Sequence, residues 1–202
     1  MTDNYNKLIK LWRDNFCSME NKEEKAAELG ISIENGKFKI TYCTRSYEVD
    51  LESGSITPIS FSGDVPFYDV MFIYHLFWFS KKNPVAAREY IPFKDIPTTG
   101  VFDAAFQCSV KPIAQRFNGR LDAFCIACES LNAKKLPHGD AGYAIPIWGD
   151  LWLHIIIWDG DEEFPASVTV LFDKNIANFT HPETVVTIGD DAIQIVLDAD
   201  KA

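Results

Sequence analysis

The stretch from Val65 to Phe79 constrains this chain more than any other. Read as a helix it is apolar on nearly every face, through Phe67, Tyr68, Phe72, Tyr74, Phe77, Trp78 and Phe79, so something must cover it. A bilayer is a poor cover, because spanning one takes about 20 apolar residues in a row, and this shorter run also carries Asp69 and His75. The reading is a buried helix with Pro66 in its first turn and its end near Ser80, filling a core, lining a pocket or meeting a partner. A chain of 202 residues, 47% apolar and 24% charged, is long enough to build that core as a single domain over 1–202.

The rest of the pattern alternates hairpins with helices. Tyr5, Leu8, Ile9, Leu11, Trp12 and Phe16 recur at helical spacing and predict an amphipathic helix over 3–18. A second runs from Asn21 to Leu29 with Gly30 as its C-terminal cap. Ile31 to Glu34, then Asn35-Gly36, then Lys37 to Cys43 is a hairpin signal, and Tyr47 to Leu51 adds a third strand that turns at Glu52-Ser53-Gly54. Pro84, Pro92 and Pro97 mark a long surface connection. Phe102 to Phe117 reads as a helix kinked by Pro112, Asn118-Gly119 as its stop, and Leu121 to Leu131 as the return helix. Strands follow at Gly142 to Trp148, Leu151 to Trp158 and Ser167 to Phe172, and Pro182 to Leu197 closes as one broken helix or two short ones. Hairpins in succession with helices inserted between them predict an α+β fold with a mainly antiparallel sheet.

Charge and cysteine usage narrow the function classes. Nineteen basic against 29 acidic residues leave a net charge of −10, which gives no net attraction for phosphate backbones and argues against a nucleic-acid partner. The N-terminal residues show no basic region followed by an apolar one, so no signal peptide is expected. Five cysteines are an odd number and no secreted disulfide framework, so reduced thiols in the cytoplasm are the expectation.

Two constellations invite chemistry. Asp159, Asp161, Glu162 and Glu163 lie between two apolar strands beside Trp158, and Gly160 allows the tight turn that brings Asp159 and Asp161 together. Oxygen ligands gathered this way suit a hard cation, with Asp159, Asp161 and Glu162 as candidate metal ligands and Asp173 and His154 flanking. The plainer readings are a solvated tip, with Pro165 guarding the strand edge, or carboxylates that cap backbone amides and pair with Arg88 or Arg116. The second constellation is Cys125-Ile126-Ala127-Cys128, two thiols on one helix face, which a helical hairpin would place level with Cys108, with Cys43 as a fourth. Buried packing is the plainer reading there too.

Other signals are weaker. His75, His138, His154 and His181 show no zinc-ligand spacing. No nucleophile elbow, phosphate loop or dinucleotide fingerprint occurs, and Thr98-Thr99-Gly100 before a helix suits an N-cap better than an anion site.

The run Trp158-Asp159-Gly160-Asp161-Glu162-Glu163-Phe164-Pro165, followed by Leu171-Phe172-Asp173, resembles the signature of an uncharacterised family, domain of unknown function 3786. Ile91 to Pro97, Gly139-Asp140-Ala141 and the His181-Pro182-Glu183 step are similar in order, so the likeness covers about 85–198 well and the N-terminal part more loosely. The resemblance implies anaerobic bacteria and archaea as the setting. Some relatives carry an iron–sulfur domain similar to that of corrinoid iron–sulfur proteins, which points to anaerobic redox or one-carbon metabolism. These residues lack that four-cysteine pattern, and the five cysteines depart from the family's own.

Three function classes follow. The first is a cytoplasmic binding or accessory protein that takes a small ligand or a protein partner, its pocket between the aromatic helix and the sheet. Trp158, Asp159, Asp161, Glu162 and Glu163 would be ligand-binding residues at its rim. The second is a metal-dependent enzyme with Asp159, Asp161 and Glu162 as ligands and His138 or Glu163 as the acid–base group. The third is a thiol-based iron–sulfur or redox protein using Cys108, Cys125 and Cys128. Sequence assigns no catalytic residue and no cofactor.

Overall fold

Asn35 and Gly36 take φ of 53° and 74°, the left-handed pair that a two-residue hairpin turn demands. They fold β1 (Ile33–Glu34) onto β2 (Lys37–Tyr42), with Glu34 opposite Lys37. A second two-residue turn follows without glycine: Cys43 and Thr44, at φ 45° and 72°, join β2 to β3 (Arg45–Asp50). The sequence reading ran the strand on through Cys43, because no Gly or Asn marks this turn and a β-branched residue at positive φ is uncommon. β4 (Ile56–Pro58) completes an antiparallel sheet in the order β1-β2-β3-β4. This computed structural model describes residues 3–97, 99 and 102–201, with the side chain of residue 105 excepted.

The chain divides into two compact units, Met1–Val85 with Ala177–Thr184, and Ala86–Ile176 with Val185–Ala202. In the first, helix α1 (Asp3–Ser18), helix α2 (Lys22–Glu28) and the four-stranded sheet surround α3 (Phe67–Phe79), the aromatic helix. The β2 side chains alternate, so Phe38, Ile40 and Tyr42 turn inward while Lys37, Lys39 and Thr41 face out. Phe38 stacks on Phe77 at 4.9 Å between ring centroids, and Tyr42 on Phe72 at 4.1 Å. From α1, Phe16 meets Tyr74 and Phe77, and Trp12 meets His75 and Phe79. The pocket expected between the aromatic helix and its sheet is therefore filled with rings.

The two ionisable groups of α3 are accommodated separately. Asp69 is fully buried, paired with the Arg45 guanidinium at 2.9 and 3.0 Å and accepting a hydrogen bond from the Tyr47 hydroxyl. Burial pushes its carboxyl above the ordinary range, against the pull of Tyr47 and Arg45. His75 shares a 2.6 Å hydrogen bond through Nδ1 with the Thr184 hydroxyl, in the segment that returns to this unit. The same segment places His181 against Phe79 and accepts the Lys81 amide on the Asn178 carbonyl.

The second unit is an antiparallel sheet in the order β5-β9-β8-β7-β6, packed with helices. Its strands are β5 (Tyr90–Pro92), β6 (Lys134–Leu136), β7 (Ala141–Trp148), β8 (Leu151–Trp158) and β9 (Ser167–Asp173). Helix α4 (Asp103–Phe117) packs on β9 through Phe106 and Phe172, and α5 (Leu121–Ser130) packs on β7 through Phe124 and Tyr143. Asp173 is buried and accepts hydrogen bonds from the Ala87, Arg88 and Asn175 amides, fixing the entry to β5. Together the two sheets and their helices make the fold α+β.

Two expectations are corrected here. The stretch around Pro84, Pro92 and Pro97 is not a surface connection throughout, since it contains β5 and inserts Phe93 and Ile96 into the core. Proline is tolerated in β5 because an edge strand can spare an N–H. The C-terminal segment is one continuous helix, α6 (Pro182–Ala199), with no break at Gly189. That glycine is needed for packing, since a Cβ there would lie 2.4 Å from Phe106 and 2.8 Å from Phe172. No helix among the described residues is long and apolar enough to cross a membrane.

Candidate functional site

The acidic hairpin is held from within. The Asp159 carboxylate accepts hydrogen bonds from the Gly119 amide at 2.7 Å and the Gly160 amide at 3.0 Å, and the Asp159 amide donates to Asp140 at 2.8 Å. Gly160 also donates to Asn118 at 3.2 Å, and a Cβ there would come within 2.6 Å of the same Asn118 oxygen. Asp161 accepts from the Glu163 and Phe164 amides at 2.8 and 2.7 Å, while its own amide donates to the Phe164 carbonyl. Those two amides hold the Asp161 carboxyl below the usual carboxylate range. Glu162 and Glu163 are exposed, and so are Trp158 and Phe164.

The carboxylates do not assemble into a metal centre. Among the described residues no three His, Cys, Asp or Glu side chains form a group that could hold a metal ion, the trio Asp159, Asp161 and Glu162 included. Arg88 pairs with Asp150, and Arg116 and Arg120 pair with Asp200, so these arginines serve other acids. The amide-capping reading of Asp159 and Asp161 is the one the geometry matches.

The thiols do not converge either. All five cysteines are free; Cys108 is exposed, Cys125 half-buried and Cys128 buried. Cys108 faces solvent while Cys128 faces the core, and among the described residues they form no cluster of three or more metal-ligating side chains. Burial pushes the Cys128 thiol far above its ordinary value, which suits packing and opposes thiolate chemistry. Beside Cys125, the buried Tyr143 hydroxyl donates to Glu129 at 2.8 Å.

His154 stacks on Tyr90 with centroids 3.5 Å apart, a pairing invisible in sequence because it spans two strands. Burial, helped by the nearby His138, brings the His154 pKa down to about 4. His138 is exposed. Thr98 and Gly100 lie outside the described residues. Thr99 is buried with its hydroxyl hydrogen-bonded to the Phe93 and Ile96 carbonyls.

The second unit also holds a cleft of about 350 Å3 that sequence reasoning missed. One wall is α4, with Phe106, Gln107 and Val110, and the opposite wall is β9 from Val168 to Val170. Phe93 and Lys94 close one end, just past the point where β5 stops. Its lining mixes the apolar side chains of Phe93, Phe106, Val110, Val168 and Val170 with the polar groups of Lys94, Asp103, Gln107 and Thr169. Its origin is a length mismatch: β9 continues for several residues beyond the end of β5. Strand lengths on opposite sides of a ladder leave no local signature in sequence.

Fold and site together define an α+β protein of two compact units, with an amide-capped acidic hairpin leading directly into a strand that borders a cleft. The chain matches Domain of unknown function (DUF3786) over residues 21–194, nearly its whole length, and belongs to that family. The match starts well upstream of residue 85, so the four-stranded sheet, α2 and α3 of the first unit fall within the family pattern, while α1 precedes it. No curated protein and no solved structure matches the chain.

Proposed function

We propose that this protein is a non-catalytic binding or accessory protein whose ligand sits in the cleft between α4 and β9. The observation that carries this reading is the cleft itself, a concave seat lined by both apolar and polar side chains. On this reading the acids Asp161, Glu162 and Glu163, a few residues before β9 in the chain, bias the site against anionic ligands. On this reading Trp158 and Asp159 contribute only through the hairpin they support. Five free thiols favour a cytoplasmic setting. A place in anaerobic redox or one-carbon metabolism rests on the family resemblance alone.

The test is a fragment screen on the full chain followed by amide nitrogen–proton spectra. Bound fragments are expected to shift Phe106, Val110 and Val168 and to lose their effect in Val110→Trp, which fills the seat. Fragments that bind elsewhere, or act equally on Val110→Trp, overturn the assignment.

A further inference from the structure

Helix α1 is apolar at Tyr5, Leu8, Ile9, Leu11, Trp12 and Phe16, yet of these only Phe16 is buried. Tyr5, Trp12 and Phe16 form the row that meets α3, through Phe67, His75 and Tyr74. Leu8 and Leu11 stand to one side of that row and are 41% and 52% exposed. Tyr5, one turn before Leu8, is 39% exposed, and Trp12, one turn after it, meets Trp78 of α3, itself 44% exposed. These side chains are a continuous strip, not scattered surface residues.

The strip has the size of an interface. Tyr5, Leu8, Leu11 and Trp78 together leave roughly 400 Å2 in contact with water. A standard interface takes about 800 Å2 from each partner, of which about 57% is apolar, or roughly 450 Å2.

The spacing along the helix identifies the cover. Asn4, Leu8, Leu11 and Asn15 follow one another at steps of four, three and four, the rhythm of a coiled-coil seam. Asn4 and both leucines are exposed, and Asn15 is half-buried. Two such helices laid antiparallel, about a two-fold axis midway between Leu8 and Leu11, set Leu8 against the partner's Leu11 and Asn4 against the partner's Asn15. Apolar falls on apolar and amide on amide. Lys7, which within its own chain pairs with the exposed Asp3, flanks the seam on the same side as Asp14. Antiparallel pairing brings each Lys7 to the partner's Asp14, whereas parallel pairing sets it beside the partner's Trp12.

Charge favours the same face. Helix α1 holds three basic and two acidic residues, leaving 16 of the 19 basic and 27 of the 29 acidic residues elsewhere. Two copies of a protein of net charge −10 repel least when their α1 helices face each other.

We infer that α1 is a self-association surface, covered by the α1 of a second copy of this chain packed antiparallel through Leu8 and Leu11. The cleft of the second unit plays no part in this pairing, so either reading can fail without the other.

Sedimentation equilibrium of the full chain, across about a hundredfold range of concentration, tests it. The parent is expected to pass from monomer to dimer as concentration rises. Leu11→Glu, at an exposed position, should keep the melting temperature of the dilute protein and weaken association at least tenfold, on the order expected for a charge placed in a seam. Lys7→Asp and Asp14→Lys should each weaken it about tenfold by setting like charges together, and the double variant Lys7→Asp/Asp14→Lys should regain it. A parent that stays monomeric at every concentration overturns the inference, as does a dimer that Leu11→Glu leaves intact. Loss in both single charge variants without recovery in the double one overturns the antiparallel arrangement. Association that continues past the dimer overturns the closed two-fold pairing.

Discussion

The carboxylate of Asp159 accepts a hydrogen bond from the backbone amide of Gly119 at 2.7 Å, tying the tip of the β8–β9 hairpin to the turn between α4 and α5. A carboxylate spent on an amide of a distant turn is a structural brace, and its removal should register as lost stability. Asp159→Ala is expected to destabilise the protein by about 1–2 kcal/mol, and Asp159→Asn, which keeps an acceptor oxygen, by less. Thermal denaturation of the two variants beside the parent checks this; equal losses would mean that the charge matters and the hydrogen bond does not.

Asp161 offers a pH test of the same tip. Its carboxyl is held below the ordinary range by the Phe164 and Glu163 amides. A depressed folded pKa adds stability that is present above the unfolded value of about 3.9 and is lost as the pH falls through the folded value. Carbon-detected titration should place the Asp161 midpoint below that of a free aspartate. Replacing Phe164 and Glu163 side chains should leave it there, because the donors are backbone amides.

His75 gives the opposite window. Burial, and secondarily the charge of His181, bring its pKa down to about 4, and Nε2 has no hydrogen-bond partner among the described residues. The unfolded chain takes up a proton near pH 6.5 that the folded chain refuses, so stability is complete above 6.5 and declines as the pH falls toward 4. The effect is at most about 3 kcal/mol. Urea unfolding at pH 7 and pH 5 should show the loss in the parent and a smaller one in His75→Gln.

Gly189→Ala should fail by overpacking. The added methyl would press on Phe106 and Phe172, both fully buried, at a cost of about 1–3 kcal/mol. A lowered melting temperature with unchanged helix content is the expected result of calorimetry and circular dichroism.

Thiol titration separates packing from redox roles. Cys108 should react at once in the native protein, and Cys43 and Cys128 only on unfolding. Rapid native reaction at Cys128 would restore a redox reading for the Cys125–Cys128 pair.

Legibility in the sequence followed the range of the interaction. Helix α1 matched its apolar spacing over Asp3–Ser18, and the Asn35-Gly36 turn was visible because left-handed backbone at both positions selects those residues. The Cys43-Thr44 turn was hidden because its residues do not carry that preference. The continuity of the C-terminal helix was hidden in part because the reason for Gly189, two rings from other elements, lies outside its own helix. The hairpin acids were legible as a cluster but not in their role, since the amide that Asp159 caps is 40 residues away in the chain. The cleft was illegible altogether, as it exists only where two strands of unequal length lie side by side.

The division of the chain carries a consequence for its birth on the ribosome. The first unit is completed by Ala177–Thr184, which supplies the Thr184 hydroxyl to His75 and the Asn178 carbonyl to Lys81. None of those contacts can form until the whole of the intervening second-unit sequence has been translated. Domains usually fold N-terminal first as they emerge. Here the first unit must wait, with His75 and the far end of its aromatic helix lacking their last cover, until the chain has been made through Thr184.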